Sequence, residues 1–278
     1  MTSSSGIRAA PPRGGEEPSA PPLQLYLSDP GRAAVEFGLL LGALPLSWAL
    51  PIGDGHPVLV LPGLMAGDDS TWPLRRILRR LGYRAHGWRL GRNLGPTPAA
   101  VTGLRNRLDD LHSRYDEPVS LIGWSLGGIY ARALARNFRW EVRQVITLGS
   151  PFRLSDDRQS HASRIFNRYT HLHTDRPRTP LDMEQGPLPV PATSIYSRYD
   201  GIVAWQACLD WPSSRAENIA VLGSHFGYGH HPAVIFAVAD RLAQPSNGWE
   251  PFRPPRALRR LFPQPDAPPQ PIAAAADF

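Results

Sequence analysis

Residues 119–128 read Val-Ser-Leu-Ile-Gly-Trp-Ser-Leu-Gly-Gly. A short apolar run ends in Gly-x-Ser-x-Gly, and Ile129, Tyr130, Ala133 and Leu134 recur at helical spacing after it. The pattern is that of a nucleophile elbow, in which a buried strand feeds a tight turn carrying Ser125 and then a helix. Side chains two residues either side of the serine would clash on such a turn, which accounts for Gly123 and Gly127. The turn lifts the hydroxyl out of the sheet, over the positive end of the following helix. The competing reading is a glycine-rich turn with Ser125 as a helix cap, and the rest of the chain has to decide between them.

Upstream, Val58–Leu61 is a fully apolar run ending at Pro62-Gly63, and it predicts a buried strand. Ser70 can cap a helix to about Leu81, with Leu74, Ile77, Leu78 and Leu81 on one face, and Gly82 ends it. Tyr83–Leu90 reads as a strand, and Thr97 caps a helix to about Tyr115 with Val101, Leu104, Leu108 and Leu111 at core spacing. Downstream, Val142–Leu148, Ala192–Ser197 and Asn218–Leu222 read as strands, and Pro232–Leu242 as the closing helix. Strands alternating with helices predict an α/β protein with a doubly wound, mostly parallel sheet. Residues 152–190 break this rhythm. They are polar, carry His161, His171 and His173, and end in Pro187-x-Pro189-x-Pro191, which reads as a small inserted cap over the carboxyl edge of the sheet.

A serine hydroxyl needs a base within hydrogen-bond reach, and the base needs an orienting acid. In a doubly wound sheet such groups gather at the carboxyl ends of strands. Asp200 follows the strand Ala192–Ser197, and His225 follows the last strand. Asp200-Gly201 could also be a plain turn, with Asp175, Asp182 and Asp210 as other acids. His230 and His231 compete with His225 as the base, just before the closing helix. His56 stands at the wrong end of its strand. An oxyanion needs two preorganised backbone N–H donors. Leu126 supplies one, and the loop after Val58–Leu61 supplies the other through Leu64 or, alternatively, Met65; Pro62 has no N–H to offer.

Composition bounds the rest. A chain of 278 residues with 42% hydrophobic content is expected to form one globular domain, here residues 31–262. Residues 1–30, rich in Ser, Gly, Pro and Glu at their start, read as a disordered leader, and 263–278 as a disordered tail. The net charge is +6, yet all 30 basic residues are arginines scattered among acids, without the interleaved aromatics of a nucleic-acid binder. The single cysteine, Cys208, excludes an internal disulfide and a cysteine-based zinc site. His171-Leu172-His173-Thr174-Asp175 has a metal-ligand look, but Arg176 stands where a further histidine would be needed, so no metal and no cofactor are expected. Phe37–Leu50 is apolar but broken by Pro45 and shorter than the ~20 residues a spanning helix needs. It reads as a helix packed on the domain, with docking on a membrane surface the less favoured alternative, and the expected location is the cytoplasm.

Five segments together resemble the α/β-hydrolase superfamily, most of all bacterial lipase-like and esterase-like proteins. They are Pro57–Gly63, Gly91–Pro96, Gly123–Gly128, Tyr196–Val203 and Gly223–Gly227. The resemblance spans residues 54–250. It implies an α/β-hydrolase fold with Ser125 as nucleophile, His225 as base and Asp200 as acid. The implied activity is cleavage of a carboxylic ester with an apolar acyl chain, through an acyl-serine. Trp124, Met65 and Phe166 are the expected substrate contacts, with core packing the alternative for Trp124. An acyltransferase or thioesterase would share the same three residues, and a non-catalytic binding scaffold would share the fold alone.

Overall fold

The computed structural model describes residues 19–154, 157–174, 186–246 and 248–267. Its strands are β1 (Pro57–Leu61), β2 (Arg84–Gly87), β3 (Val119–Trp124), β4 (Val142–Leu148), β5 (Ala192–Tyr196) and β6 (Ala216–Ala220). All pair in parallel, in the order β2-β1-β3-β4-β5-β6. The helices are α1 (Leu23–Ala43), α2 (Asp68–Arg80), α3 (Pro98–Tyr115), α4 (Leu126–Asn137), α5 (Ser163–Arg168) and α6 (Pro232–Leu242).

Strand β1 is apolar throughout because both faces of a parallel sheet are covered, whereas the edge strands β2 and β6 carry Arg84, His86, Glu217 and Asn218. Successive side chains alternate between two cores. Val58, Val60, Ile122 and Ile146 pack with Leu74, Ile77 and Leu78 of α2, Val234 and Val238 of α6, and Leu40 of α1. Leu59, Leu61, Leu121 and Val145 pack with Leu104, Leu108 and Leu111 of α3 and with Tyr130 and Leu134 of α4. Each fully buried leucine contributes roughly 1.5–3 kcal/mol. The chain leaves β1 for β2 on one side and returns to β3 on the other. The crevice at this switch point opens beyond the carboxyl ends of β1 and β3, where doubly wound sheets place their ligands.

Several boundaries differ from the sequence reading. Helix α2 starts at Asp68, not at Ser70, whose hydroxyl instead donates back to the Gly67 carbonyl at 2.7 Å. Asp68 and Asp69 suit the positive end of that helix. The larger difference is α1. Residues 23–30, assigned by composition to the leader, lie in a helix that runs through Pro30. Pro30-Gly31 reads as a helix breaker, but Asp29, Ala33, Glu36 and Leu40 form one buried stripe at helical spacing, and tertiary contacts carry the helix past the proline. Residues 1–18 of the expected leader and 268–278 of the expected tail lie outside the described residues.

Between β4 and β5 stand α5 and two 3-10 turns, Asp157–Gln159 and Thr170–Leu172. Residues 155–156 and 175–185 of this segment, with Asp175 and Asp182, lie outside the described residues. The segment is tied to the loop after β5 by backbone bonds from His161 to Ile202 at 2.8 Å and from Ala204 to Gln159 at 2.9 Å. No helix among the described residues is long and apolar enough to cross a membrane.

Candidate active site

Ser125 sits between β3 and α4 with φ 52° and ψ −122°, a left-handed conformation that a side chain rarely adopts. Its neighbours make the turn possible. A Cβ on Gly123 would lie 2.3 Å from the Gly128 backbone, and one on Gly127 would lie 2.4 Å from the Leu61 carbonyl. The Ser125 N–H donates to the Leu148 carbonyl at 2.9 Å, which anchors the turn to β4. Leu126 is the first residue of α4, so its N–H has no acceptor within the helix.

The loop after β1 passes directly over the serine: a Cβ on Gly63 would stand 3.2 Å from that of Ser125. Asn93, fully buried, staples this loop. Its side-chain amide donates to the Pro62 carbonyl at 2.9 Å, and its own N–H donates to Ala66 at 2.8 Å. Its carbonyl accepts the Met65 N–H at 2.7 Å. Of the two candidate donors left open by the sequence, Met65 is therefore already engaged, whereas the Leu64 N–H has no acceptor among the described residues. The sequence reading assigned Asn93 no role, although its polar side chain in Gly-Arg-Asn-Leu-Gly is the type of group that fastens a loop.

Asp200 and His225 stand at the ends of β5 and β6, and His225 Nδ1 lies 2.7 Å from Asp200 Oδ2, with both side chains buried. The other carboxylate oxygen accepts the N–H groups of Ile202 at 2.8 Å and Val203 at 2.9 Å, which fixes its orientation. His225 Nε2 has no partner among the described residues. Trp124 ties the His225 loop to the elbow, its indole N–H donating to the His225 carbonyl at 3.1 Å. Tyr228 packs edge-on against the His225 ring, and burial, with the Asp200 charge nearby, pushes its hydroxyl well above the ordinary tyrosine range.

The competing residues have other partners. The His231 ring caps α6, accepting the Ala233 N–H at 3.2 Å, and burial lowers its pKa. His230 bonds the Ala33 carbonyl of α1 at 2.9 Å. Asp210 forms a buried two-pronged ion pair with Arg132, at 2.7 and 3.1 Å. His56 is buried and bonds Ser120 at 2.8 Å, far from the carboxyl edge. His173 packs at a tilt against Phe166 and bonds the Leu94 carbonyl at 2.9 Å.

Two apolar cavities meet at Ser125, Leu64 and Ala162. One, about 320 Å³, is lined by Leu126, Ile129, Phe152, Leu154 and Phe166. The other, about 350 Å³, is lined by Met65, Trp124, His225 and Phe226, with Tyr26, Leu27 and Pro30 of α1 as its far wall. Phe166 thus lies on one side of the serine, and Met65 and Trp124 on the other. Neither the α1 wall nor the two buried carboxylates of that helix was foreseen from the sequence. The signal for them was a stripe at helical spacing in which two of four positions are acidic.

No protein-family model matches the chain, and no curated protein matches it. Solved structures do. Aspergillus fumigatus lipase B superposes with a TM-score of 0.54 at 15% identity, over 70% of this chain, which spans only 56% of that protein. A structure from the study of LipS and LipT, two metagenome-derived lipolytic enzymes, superposes with a TM-score of 0.51 at 14% identity, covering 69% of this chain and 93% of that one. The sheet order, the turn at Ser125 and these likenesses agree on one architecture: the chain has the α/β-hydrolase fold.

Proposed function

We propose that the protein is a serine hydrolase that cleaves carboxylic esters through an acyl-serine intermediate. One observation carries the reading: His225, hydrogen-bonded to Asp200 at 2.7 Å, lines the same cavity as a serine on a strained strand-to-helix turn. In this mechanism His225 Nε2 takes the Ser125 proton as the hydroxyl attacks the ester carbonyl. The Leu126 and Leu64 N–H groups receive the oxyanion. Asp200 holds the ring in the tautomer that leaves Nε2 free and stabilises the imidazolium. The imidazolium returns the proton to the leaving alcohol, and water repeats the cycle on the acyl-serine. The chemistry uses no cofactor.

The leaving oxygen must face His225, so the alcohol occupies the cavity walled by α1 and the acyl chain extends into the cavity lined by Phe152 and Phe166. Both are predominantly apolar, which supports an ester with apolar groups on both sides. The segment between β4 and β5 acts as a cap that selects the acyl chain. A p-nitrophenyl ester chain-length series tests the reading. Turnover is expected in the wild type and a loss of at least roughly a thousandfold in a folded Ser125→Ala variant. Near-normal turnover in that variant would overturn it.

A further inference from the structure

The geometry points to helix α1 as the element that holds the acid and base loops in register, with Asp29 and Glu36 as positioning residues; this rests on the roles proposed above for Asp200 and His225. Asp29 is fully buried. Its Oδ2 accepts the N–H groups of Gly201 and His225, each at 2.9 Å, and its Oδ1 accepts the Phe226 N–H at 2.9 Å. Two turns along the same stripe, Glu36 accepts the Ser224 N–H at 2.8 Å and the Ser224 hydroxyl at 2.7 Å. Arg32, paired with Asp29 at 3.1 Å, donates to the Tyr199 carbonyl at 2.8 Å. One helix therefore grips the residues on either side of Asp200 and three successive N–H groups of the loop that carries His225.

A carboxylate removed from water is tolerated only when hydrogen bonds replace its hydration. Asp29 meets that condition only while both loops face it, so the helix and the two loops are mutually required. Packing bears this out at two glycines. A Cβ on Gly201 would lie 2.4 Å from the Leu25 carbonyl of α1, and one on Gly227 would meet a Glu36 carboxylate oxygen at 1.5 Å. The loops touch the helix at backbone distance. Catalysis by an imidazole depends on its aim, and displacement by about 1 Å costs about a hundredfold in rate.

The two carboxylates make different demands. Every loop donor to Asp29 is a backbone N–H, which cannot become an acceptor. Asp29→Asn keeps one acceptor oxygen, which at best still takes the Gly201 and His225 N–H groups, and its NH2 then faces the Phe226 N–H, so the clamp is broken on that side. Glu36 faces one N–H and one hydroxyl, and the hydroxyl can rotate to accept, so Glu36→Gln preserves both bonds. In the full chain, Asp29→Asn is expected to lower kcat for a p-nitrophenyl ester about a hundredfold with KM nearly unchanged, and to lose amide hydrogen-exchange protection at Phe226. Leu40→Ala is the control: it cuts the same helix out of the core at the other end of the stripe, lowers the melting temperature, and leaves kcat close to wild type. If Asp29→Asn does not fold, the Glu36 pair reads the same clamp, with kcat falling about tenfold in Glu36→Ala and little in Glu36→Gln. The clamp is overturned by an unchanged kcat in Asp29→Asn, by equal losses in Asp29→Asn and Leu40→Ala at matched stability, or by equal kcat in the two Glu36 variants. A wild-type chain without Ser125-dependent turnover overturns the hydrolase reading instead, and the clamp then stands or falls on the amide protection.

Discussion

The elbow that carries Ser125 and the two loops that carry Asp200 and His225 stand side by side but are built in different ways. The elbow is a local object. Gly123, Gly127 and Gly128 lie within five residues of one another, and the turn closes because nothing larger than hydrogen fits between β3, α4 and the end of β1. The Asp200 loop ties its carboxylate locally through the Ile202 and Val203 N–H groups, but Gly201, Ser224, His225 and Phe226 give their N–H groups to carboxylates more than 170 residues away in sequence, on a helix that precedes the first strand. A site assembled from both kinds of part has a serine held by local sterics and a histidine held by long-range packing.

The sharpest way to break this comparison is at the base. His225→Ala is expected to cost about a thousandfold or more in ester turnover, whereas His230→Ala and His231→Ala, which remove a contact to α1 and a cap on α6, lower thermal stability and leave turnover close to wild type. Steady-state kinetics on the three single variants checks this, and a large loss confined to His231→Ala or His230→Ala would move the base to another residue. Next comes the elbow itself. Gly127→Ala places a methyl 2.4 Å from the Leu61 carbonyl, which requires the backbone to shift. Overpacking of this kind costs about 1–3 kcal/mol, and a displaced serine costs about a hundredfold in kcat. Thermal unfolding together with kinetics reads both numbers, and a fully active Gly127→Ala would mean that the turn is not sterically fixed.

That contrast also explains what can be read in the sequence. The doubly wound sheet follows from apolar runs such as Val58–Leu61, because burial on both faces leaves no polar positions there. The elbow is legible because its constraint falls on adjacent residues. Asp200 and His225 can be picked out as strand-end residues, but not what holds them. Asp29 and Glu36 look like ordinary surface acids beside a Pro-Gly breaker, and only the folded loops turn that stripe into an interior one. Asn93 is hidden for the same reason: its partners, Pro62, Met65 and Ala66, are about 30 residues away.

Smaller effects sharpen the picture of the cavities and the frame around them. Phe166→Ala enlarges the cavity assigned to the acyl chain on one side of the serine only. It is expected to shift the chain-length optimum toward longer acyl groups and to change kcat/KM for the preferred ester roughly tenfold, with little change for a series that varies only the alcohol. An unchanged acyl profile would remove Phe166 from the site. Away from both regions, burial and then the Arg107 charge hold the His86 ring at about 4, below its ordinary value of about 6.5. The folded state therefore favours the neutral ring, and the unfolded chain binds the extra proton between those two values. Stability conferred at neutral pH declines as pH falls from about 6.5 to about 4. His86→Gln should flatten that part of the melting-temperature profile without altering turnover at pH 7, and an unchanged slope would contradict it.

The most direct test of Ser125 as an activated nucleophile is covalent capture. The folded chain is treated with a fluorophosphonate probe and the adduct mapped by peptide mass spectrometry. The expected result is one adduct per chain on Ser125, absent in Ser125→Ala and strongly slowed in His225→Ala. No adduct on the wild-type chain, or an adduct on another residue that persists in Ser125→Ala, would contradict it.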